Sequence, residues 1–291
     1  MLDRILALYI TIVTVLGSLL GIGAYSTDYT VYTDVVYSDA SERNILDIYI
    51  PQAAYDREEN GFILFIHGGS WTSGNKEDKA AMCIETASKG YIAATMSYTL
   101  RSGEAAESYK VDTVLDEIGL AIQKIKDFAA EKGIKITKAA LSGYSAGAHL
   151  SMLYAYSRAD ESPVEIAFTA NRVGPSDFST EAWGSSGPSL ARSLAGKEIS
   201  AKLSDDGVVA YVSPAAYVTK DSVPSLFAYG GLDFVVPAGN RKSILNAFDK
   251  AGAEYDFVFY PLNGHGLKVN RITPAAREYS QKLFEYCEKY F

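Results

Sequence analysis

The chain has 291 residues, 48% hydrophobic and 21% charged, an ordinary globular composition that can bury one large core. Its net charge of −8, isoelectric point near 5.0 and lack of a basic stripe exclude a nucleic-acid partner, which needs clustered Lys and Arg. Two cysteines, Cys83 and Cys287, and three histidines, His67, His149 and His265, form no Cys-x-x-Cys and no His-Glu-x-x-His, so neither a metal nor a cofactor is expected.

Residues 5–24, ILALYITIVTVLGSLLGIGA, carry no charge. About 20 such residues, at 1.5 Å each, cross a ~30 Å hydrocarbon core, so the run reads as a membrane anchor. A secretory signal cleaved after Gly23, with Gly21 at −3, is the rival, and a buried core helix is a third reading. Arg4 precedes the run, whereas Asp28, Asp34, Asp39 and Glu42 follow it, which keeps the amino terminus cytoplasmic and places the remainder outside the cytoplasm. Gly17 and Gly21 form a GxxxG pair that could bring two spans together. The expected division is therefore a segment 1–27 and one domain 28–291.

Within that domain, Val31, Thr33, Val35 and Tyr37 alternate with mostly polar neighbours, and residues 45–50 form a second extended run before Pro51. These predict an opening hairpin at a sheet edge. Residues 62–66 are continuously apolar, as in the buried middle of a parallel sheet. A helix follows over 76–88, stopped by Gly90, then a strand over 91–98. Val111, Val114, Leu115, Ile118, Ala121, Ile122, Ile125 and Phe128 recur at helical spacing. A short strand over 138–142, a helix over 146–156 and a strand over 164–170 come next. After Gly174-Pro175-Ser176 the pattern loosens, with a helix-like stretch at 190–194 but no clear strand, until a strand over 225–229. An insertion of that size, about 177–222, is expected to form a partial cap that shapes substrate choice. A helix over 238–251, a strand over 255–260 and a helix from 273 close the chain. Eight strands alternating with helices predict one α/β domain. Cys83 and Cys287 fall in helix-like stretches and read as buried thiols, with a disulfide as the minor alternative.

Two motifs carry chemistry. Gly143-Tyr144-Ser145-Ala146-Gly147, between a strand and a helix, has the form of a nucleophile elbow, which exposes a serine hydroxyl on a sharp turn. His67-Gly68-Gly69-Ser70-Trp71, just after an apolar strand, has the form of a glycine loop whose N–H groups bind an oxyanion. Gly69 to Gly74 also resembles a phosphate loop, but Asn75 stands where lysine is required. A serine hydroxyl needs a base, and the base an orienting acid. His67 belongs to the glycine loop, and His149, on the elbow helix, reads as packed or hydrogen bonded. That leaves His265, in the flexible segment Asn263-Gly264-His265-Gly266. Asp233 follows the penultimate strand in Gly230-Gly231-Leu232-Asp233; Asp206, Asp221 and Asp256 are weaker rivals, and a turn-forming role is the plain alternative. The order Ser145, Asp233, His265 is that of α/β-hydrolases. The oxyanion site would draw on the amides of Gly68, Gly69, Ser70 and Ala146. Trp71 and Tyr144 are candidates for lining the substrate pocket, although Trp71 could equally pack under the loop.

From about residue 45 onward the sequence resembles the α/β-hydrolase superfamily, and within it the bifunctional feruloyl and acetyl-xylan esterases. The likeness rests on residues 46–51 (LDIYIP), His67 to Trp71 with Gly74 and Lys76, the elbow, Gly174-Pro175-Ser176-Asp177, Gly231-Leu232-Asp233 and Gly264-His265-Gly266. It implies an eight-stranded, mostly parallel sheet and a cofactor-free serine hydrolase acting on carboxylic esters, with acetyl or aromatic acyl esters of carbohydrate as candidate substrates. Thr99 stands where such relatives often have arginine, which bears on support for the site, and Ala148 where a further glycine is frequent. Kynurenine formamidases share a similar glycine loop, and some serine peptidases share the domain. Amide cleavage is therefore the alternative enzymatic reading, and an inactive binding module the non-enzymatic one. Oligomeric state is not indicated.

Overall fold

The computed structural model describes residues 28–267 and 274–291. The expected anchor at 5–24 and its glycine pair lie outside the described residues; among the described residues no helix is long and apolar enough to cross a membrane.

Strands β1 (Tyr29–Val36), β2 (Ile45–Pro51) and β3 (Asn60–Ile66) lead to helix α1 (Ala80–Ser88) and β4 (Ile92–Met96). Helix α2 (Val111–Ala130), β5 (Ile136–Tyr144), α3 (Ala146–Ser157) and β6 (Glu165–Arg172) complete the first half. Four short helices follow, α4 (Thr180–Trp183), α5 (Gly187–Ala195), α6 (Lys197–Lys202) and α7 (Asp205–Val212), and then β7 (Ser225–Gly230), α8 (Ala238–Ala251), β8 (Tyr255–Tyr260) and α9 (Pro274–Tyr290). The eight strands form one sheet in the order β1-β2-β4-β3-β5-β6-β7-β8, antiparallel at β1-β2 and β2-β4 and parallel elsewhere.

Central strand β3 is buried throughout because both its faces are covered. Phe62, Leu64 and Ile66 of β3 pack with Val114, Ile118 and Ile122 of α2. Ile63 and Phe65, pointing the other way, pack with Cys83 and Ala87 of α1 and Leu283 and Tyr286 of α9. Cys83 and Cys287 are free and buried.

Three local expectations are revised. The alternation read through β1 breaks at Asp34 (φ 55°), where the register shifts between Tyr32 and Val35, so Val31 is exposed while Tyr32 packs on the core. The helix expected over 76–88 begins as a 3₁₀ turn, Lys76–Lys79, because Asn75 and Asp78 form a capping box and Lys76 turns inward onto Asp34 and Asp47. The loosened stretch is helical, in pieces of four to nine residues too short to show a period. Ser179 and Ser204 cap two of these helices, and Gly184 and Gly196, at φ of 80° and 83°, end two.

Candidate active site

All the candidate residues lie at the carboxyl ends of parallel strands, where such sheets place their ligands. Ser145 sits between β5 and α3 with φ 54° and ψ −121°, a conformation that costs on the order of 1–3 kcal/mol for a residue with a side chain. The flanking glycines make the turn possible. A Cβ on Gly147 would collide with the carbonyl oxygens of Ile66 and His67, and one on Gly143 with the backbone of Gly147 and Ala148. The Ser145 amide donates to the Arg172 carbonyl at the end of β6 (3.0 Å), so the turn is fastened to the neighbouring strand.

The loops after β7 and β8 bring a histidine and a carboxylate to this serine. His265 Nε2 lies 2.9 Å from Ser145 Oγ, and His265 Nδ1 lies 2.9 Å from Asp233 Oδ2. A carboxylate only accepts, so Nδ1 carries the proton and donates it to Asp233, leaving the Nε2 lone pair to accept from the serine hydroxyl. The other oxygen, Oδ1, accepts the amides of Val235 and Val236, both at 2.9 Å. These bonds hold the carboxylate in one orientation, with its side chain 3% exposed against 20% for His265. Among the described residues Asp206, Asp221 and Asp256 make no such contact with a histidine; Asp221 and Asp256 pair with Lys220 and Lys282.

The loop after β3 lies against the elbow: a Cβ built on Gly68 would come within 3.3 Å of Ser145 Cβ. Gly69, Ser70 and Trp71 all have positive φ, at 113°, 54° and 62°. The turn is closed by the Thr72 and Ser73 amides donating to the Gly69 carbonyl, both at 3.0 Å, and by the Arg101 amide donating to the Trp71 carbonyl at 2.7 Å. Among the described residues the amides of Gly68, Gly69, Ser70 and Ala146 have no hydrogen-bond acceptor. Ala146 opens α3, so its amide also carries the positive end of that helix.

The rings of His67 and His149 have partners other than the serine. His67 stacks on Tyr98 at 4.2 Å, and its Nδ1–H donates to the Gly68 carbonyl at 2.7 Å. His149 donates from Nε2 to the Val212 carbonyl (2.7 Å) and accepts at Nδ1 from the Trp71 indole N–H (3.1 Å). Burial pushes both down to about 4, so each is neutral at ordinary pH.

The two pocket candidates each have a hydrogen-bond partner. Trp71 is buried under its loop, its N–H on His149 and its ring against Phe178, which stacks on Trp183 of α4. Tyr144 donates its hydroxyl to the His265 carbonyl at 2.5 Å and so braces the histidine loop. The insertion thus forms a wall beside the glycine loop, tied further by Arg101 Nη1 to Ser193 Oγ at 2.7 Å.

Supporting residues outside the motifs have weak sequence signals. Buried Glu117, a lone acid on the apolar face of α2, accepts from the Thr99 amide and hydroxyl and from Asn44 Nδ2. Thr99, the departure noted above, is therefore hydrogen bonded where it stands. Buried Asn240 of α8 accepts the amides of Ser176 and Asp177 at Oδ1 (2.8 and 3.0 Å), which makes the Gly174-Pro175-Ser176-Asp177 segment a tie between β6 and α8.

The fold recurs in solved structures. A truncated carbohydrate esterase from gut microbiota is 21% identical with a TM-score of 0.70, covering 90% of this chain and 99% of its own. An inhibited esterase B from Lactobacillus rhamnosis is 18% identical with a TM-score of 0.71, covering 99% and 96%. A thermophilic esterase from the Planctomycetes species Thermogutta terrifontis, with propionate bound, is 21% identical with a TM-score of 0.68, covering 90% and 94%. The architecture is the α/β-hydrolase fold. The BD-FAE family profile matches residues 46–247, including Ser145 and Asp233 and ending before His265. With well over half its length matched, the chain belongs to the BD-FAE family and is an esterase-type hydrolase.

Proposed function

We propose that this hydrolase cleaves carboxylic esters through an acyl-enzyme on Ser145, with His265 as general base and acid and Asp233 as its orienting carboxylate. The observation that carries this reading is the continuous hydrogen-bonded chain from Ser145 Oγ through both nitrogens of His265 to Asp233. His265 Nε2 takes the hydroxyl proton as Ser145 Oγ attacks the carbonyl carbon, and returns it to the departing alkoxide. Water, deprotonated by the same nitrogen, then attacks the acyl carbon; its bond to Ser145 Oγ breaks, the proton returns to that oxygen and the acid leaves. The negative oxygen formed at each stage is held by the amides of Ala146, Gly69 and Ser70, with Gly68 shaping the loop behind them; one such donor is worth about 2.7–4 kcal/mol of barrier. Membership of the BD-FAE family and the likeness to a carbohydrate esterase support acetyl or aromatic acyl esters on carbohydrate as substrates. The charge asymmetry around residues 5–24 supports a site of action outside the cytoplasm.

Hydrolysis of p-nitrophenyl acetate and butyrate by the protein and by Ser145→Ala tests the mechanism. The variant is expected to lose at least about a thousandfold in kcat/KM while keeping its melting temperature within a few degrees. A folded Ser145→Ala variant that retained activity would move the nucleophile elsewhere. A wild-type protein inert toward esters but active on matched amides would turn the reading to amide cleavage.

A further inference from the structure

The two most exposed large hydrophobic side chains among the described residues stand beside this site. Phe234, next to Asp233, is 92% exposed, and Leu262, three residues before His265, is 83% exposed. Leu232 and Val235, flanking Asp233 and Phe234 in the same loop, are also exposed. Their two loops are joined, since the Leu232 amide donates to the Asn263 carbonyl at 2.9 Å and the Gly231 amide to the Tyr260 carbonyl at 2.9 Å. The strip is also fixed from below: Asp233 Oδ1 holds the amides of Val235 and Val236, so the carboxylate that orients His265 also sets the turn that presents Phe234. Scattered exposed apolar residues need no explanation, but four of them on the two joined loops that carry Asp233 and His265 do.

We infer that the strip Leu232, Phe234, Val235 and Leu262 binds the alcohol portion of the ester and takes a flat apolar face there, an aryl ring or the C–H face of a sugar ring. This rests on the mechanism proposed above. His265 Nε2 is the group that returns a proton to the leaving oxygen, so the alcohol departs on the His265 side, across from the glycine loop. The loops on that side are those bearing Phe234 and Leu262. On the glycine-loop side Trp71 is buried against His149 and Phe178, so it offers no free face to the leaving group.

The test compares ratios of kcat/KM in the full-length protein and in Phe234→Ser/Leu262→Ser, with Leu120→Ser on α2 as a control for loss of an exposed apolar side chain. The ratio for 2-naphthyl acetate over ethyl acetate, which share an acyl group, should fall about tenfold in the double variant through KM, and stay put in the control. The ratio for 2-naphthyl hexanoate over 2-naphthyl acetate, which share an alcohol, should not move. A change in the second ratio instead of the first would assign the strip to the acyl chain and overturn the inference. So would two unmoved ratios; lost binding to phosphatidylcholine vesicles would then make the strip a lipid contact, and loss of a wild-type dimer in sedimentation a contact between subunits. Activity of Ser145→Ala on 2-naphthyl acetate would instead sink the underlying mechanism, separately from these ratios.

Discussion

Two lysines three residues apart, Lys76 and Lys79, are both buried and end in opposite electrostatic states. Lys76 Nζ meets Asp34 and Asp47 at 2.9 Å and Glu77 at 2.7 Å; burial opposes its charge, but these carboxylates outweigh it and raise it above the ordinary lysine value. Lys79 has no ion pair among the described residues; its ammonium lies 4.7 Å from the Tyr144 ring centre, and burial, then nearby Arg172, push it down to about 7. Between that value and 10.5 the unfolded chain binds a proton that the native protein does not, so this group makes stability rise with pH across that window; below about 7 its full cost is present. Lys79→Met should therefore raise the urea midpoint at pH 6 by the equivalent of about 2 kcal/mol, and by less at pH 10. A variant less stable than wild type at pH 6 would show that the contact with Tyr144 outweighs the cost of burial. At this scale Ser145, Asp233 and His265 could be singled out by type, motif and order, because a serine nucleophile requires those groups. Trp71 and Tyr144 could not be placed, because whether an aromatic ring faces substrate or neighbour depends on partners such as His149 and the His265 carbonyl, distant in sequence.

The elements around the elbow are packed through backbone contact. Helix α3 begins so close to the end of β3 that Gly147 lies against the Ile66 and His67 carbonyls. Gly147→Ala must separate the elbow from the strand that starts the glycine loop, and both halves of the site depend on that approach. It is expected to lower stability by about 2–4 kcal/mol and to reduce kcat/KM in the part that stays folded, read by denaturant midpoint and ester hydrolysis on the same preparation. Unchanged values for both would mean that the backbone yields without cost. Long elements were legible because their periods are: α2 repeats its apolar stripe over 20 residues and β3 is buried on both faces. Within the insertion only α5 was legible, as the helix-like stretch at 190–194, since α4 and α6 have only four and six residues and depend on local caps and tertiary packing.

Across the whole molecule, the site is assembled from loops after β3, β5, β7 and β8 and fastened by polar groups in the core. Asn240 joins α8 to the segment after β6, its Oδ1 taking two amides and its main-chain carbonyl taking Ser176 Oγ at 2.6 Å. Asn240→Ala would leave those amides buried without a partner, a cost of about 2–3 kcal/mol that thermal unfolding should register as a drop of several degrees. A melting temperature within one degree of wild type would show that the insertion is held by its apolar contacts alone. By itself the sequence determined the fold class, the eight strands and which residues are candidates for the site, because periodicity, turn-forming glycines and functional-group chemistry are local properties. Only the tertiary structure decided that His265 reaches Ser145 across 120 positions, that Trp71 and Tyr144 brace loops, and that Phe234 and Leu262 are left exposed. Those outcomes depend on which strands become neighbours in the sheet and which polar groups find partners there, and no local pattern encodes either.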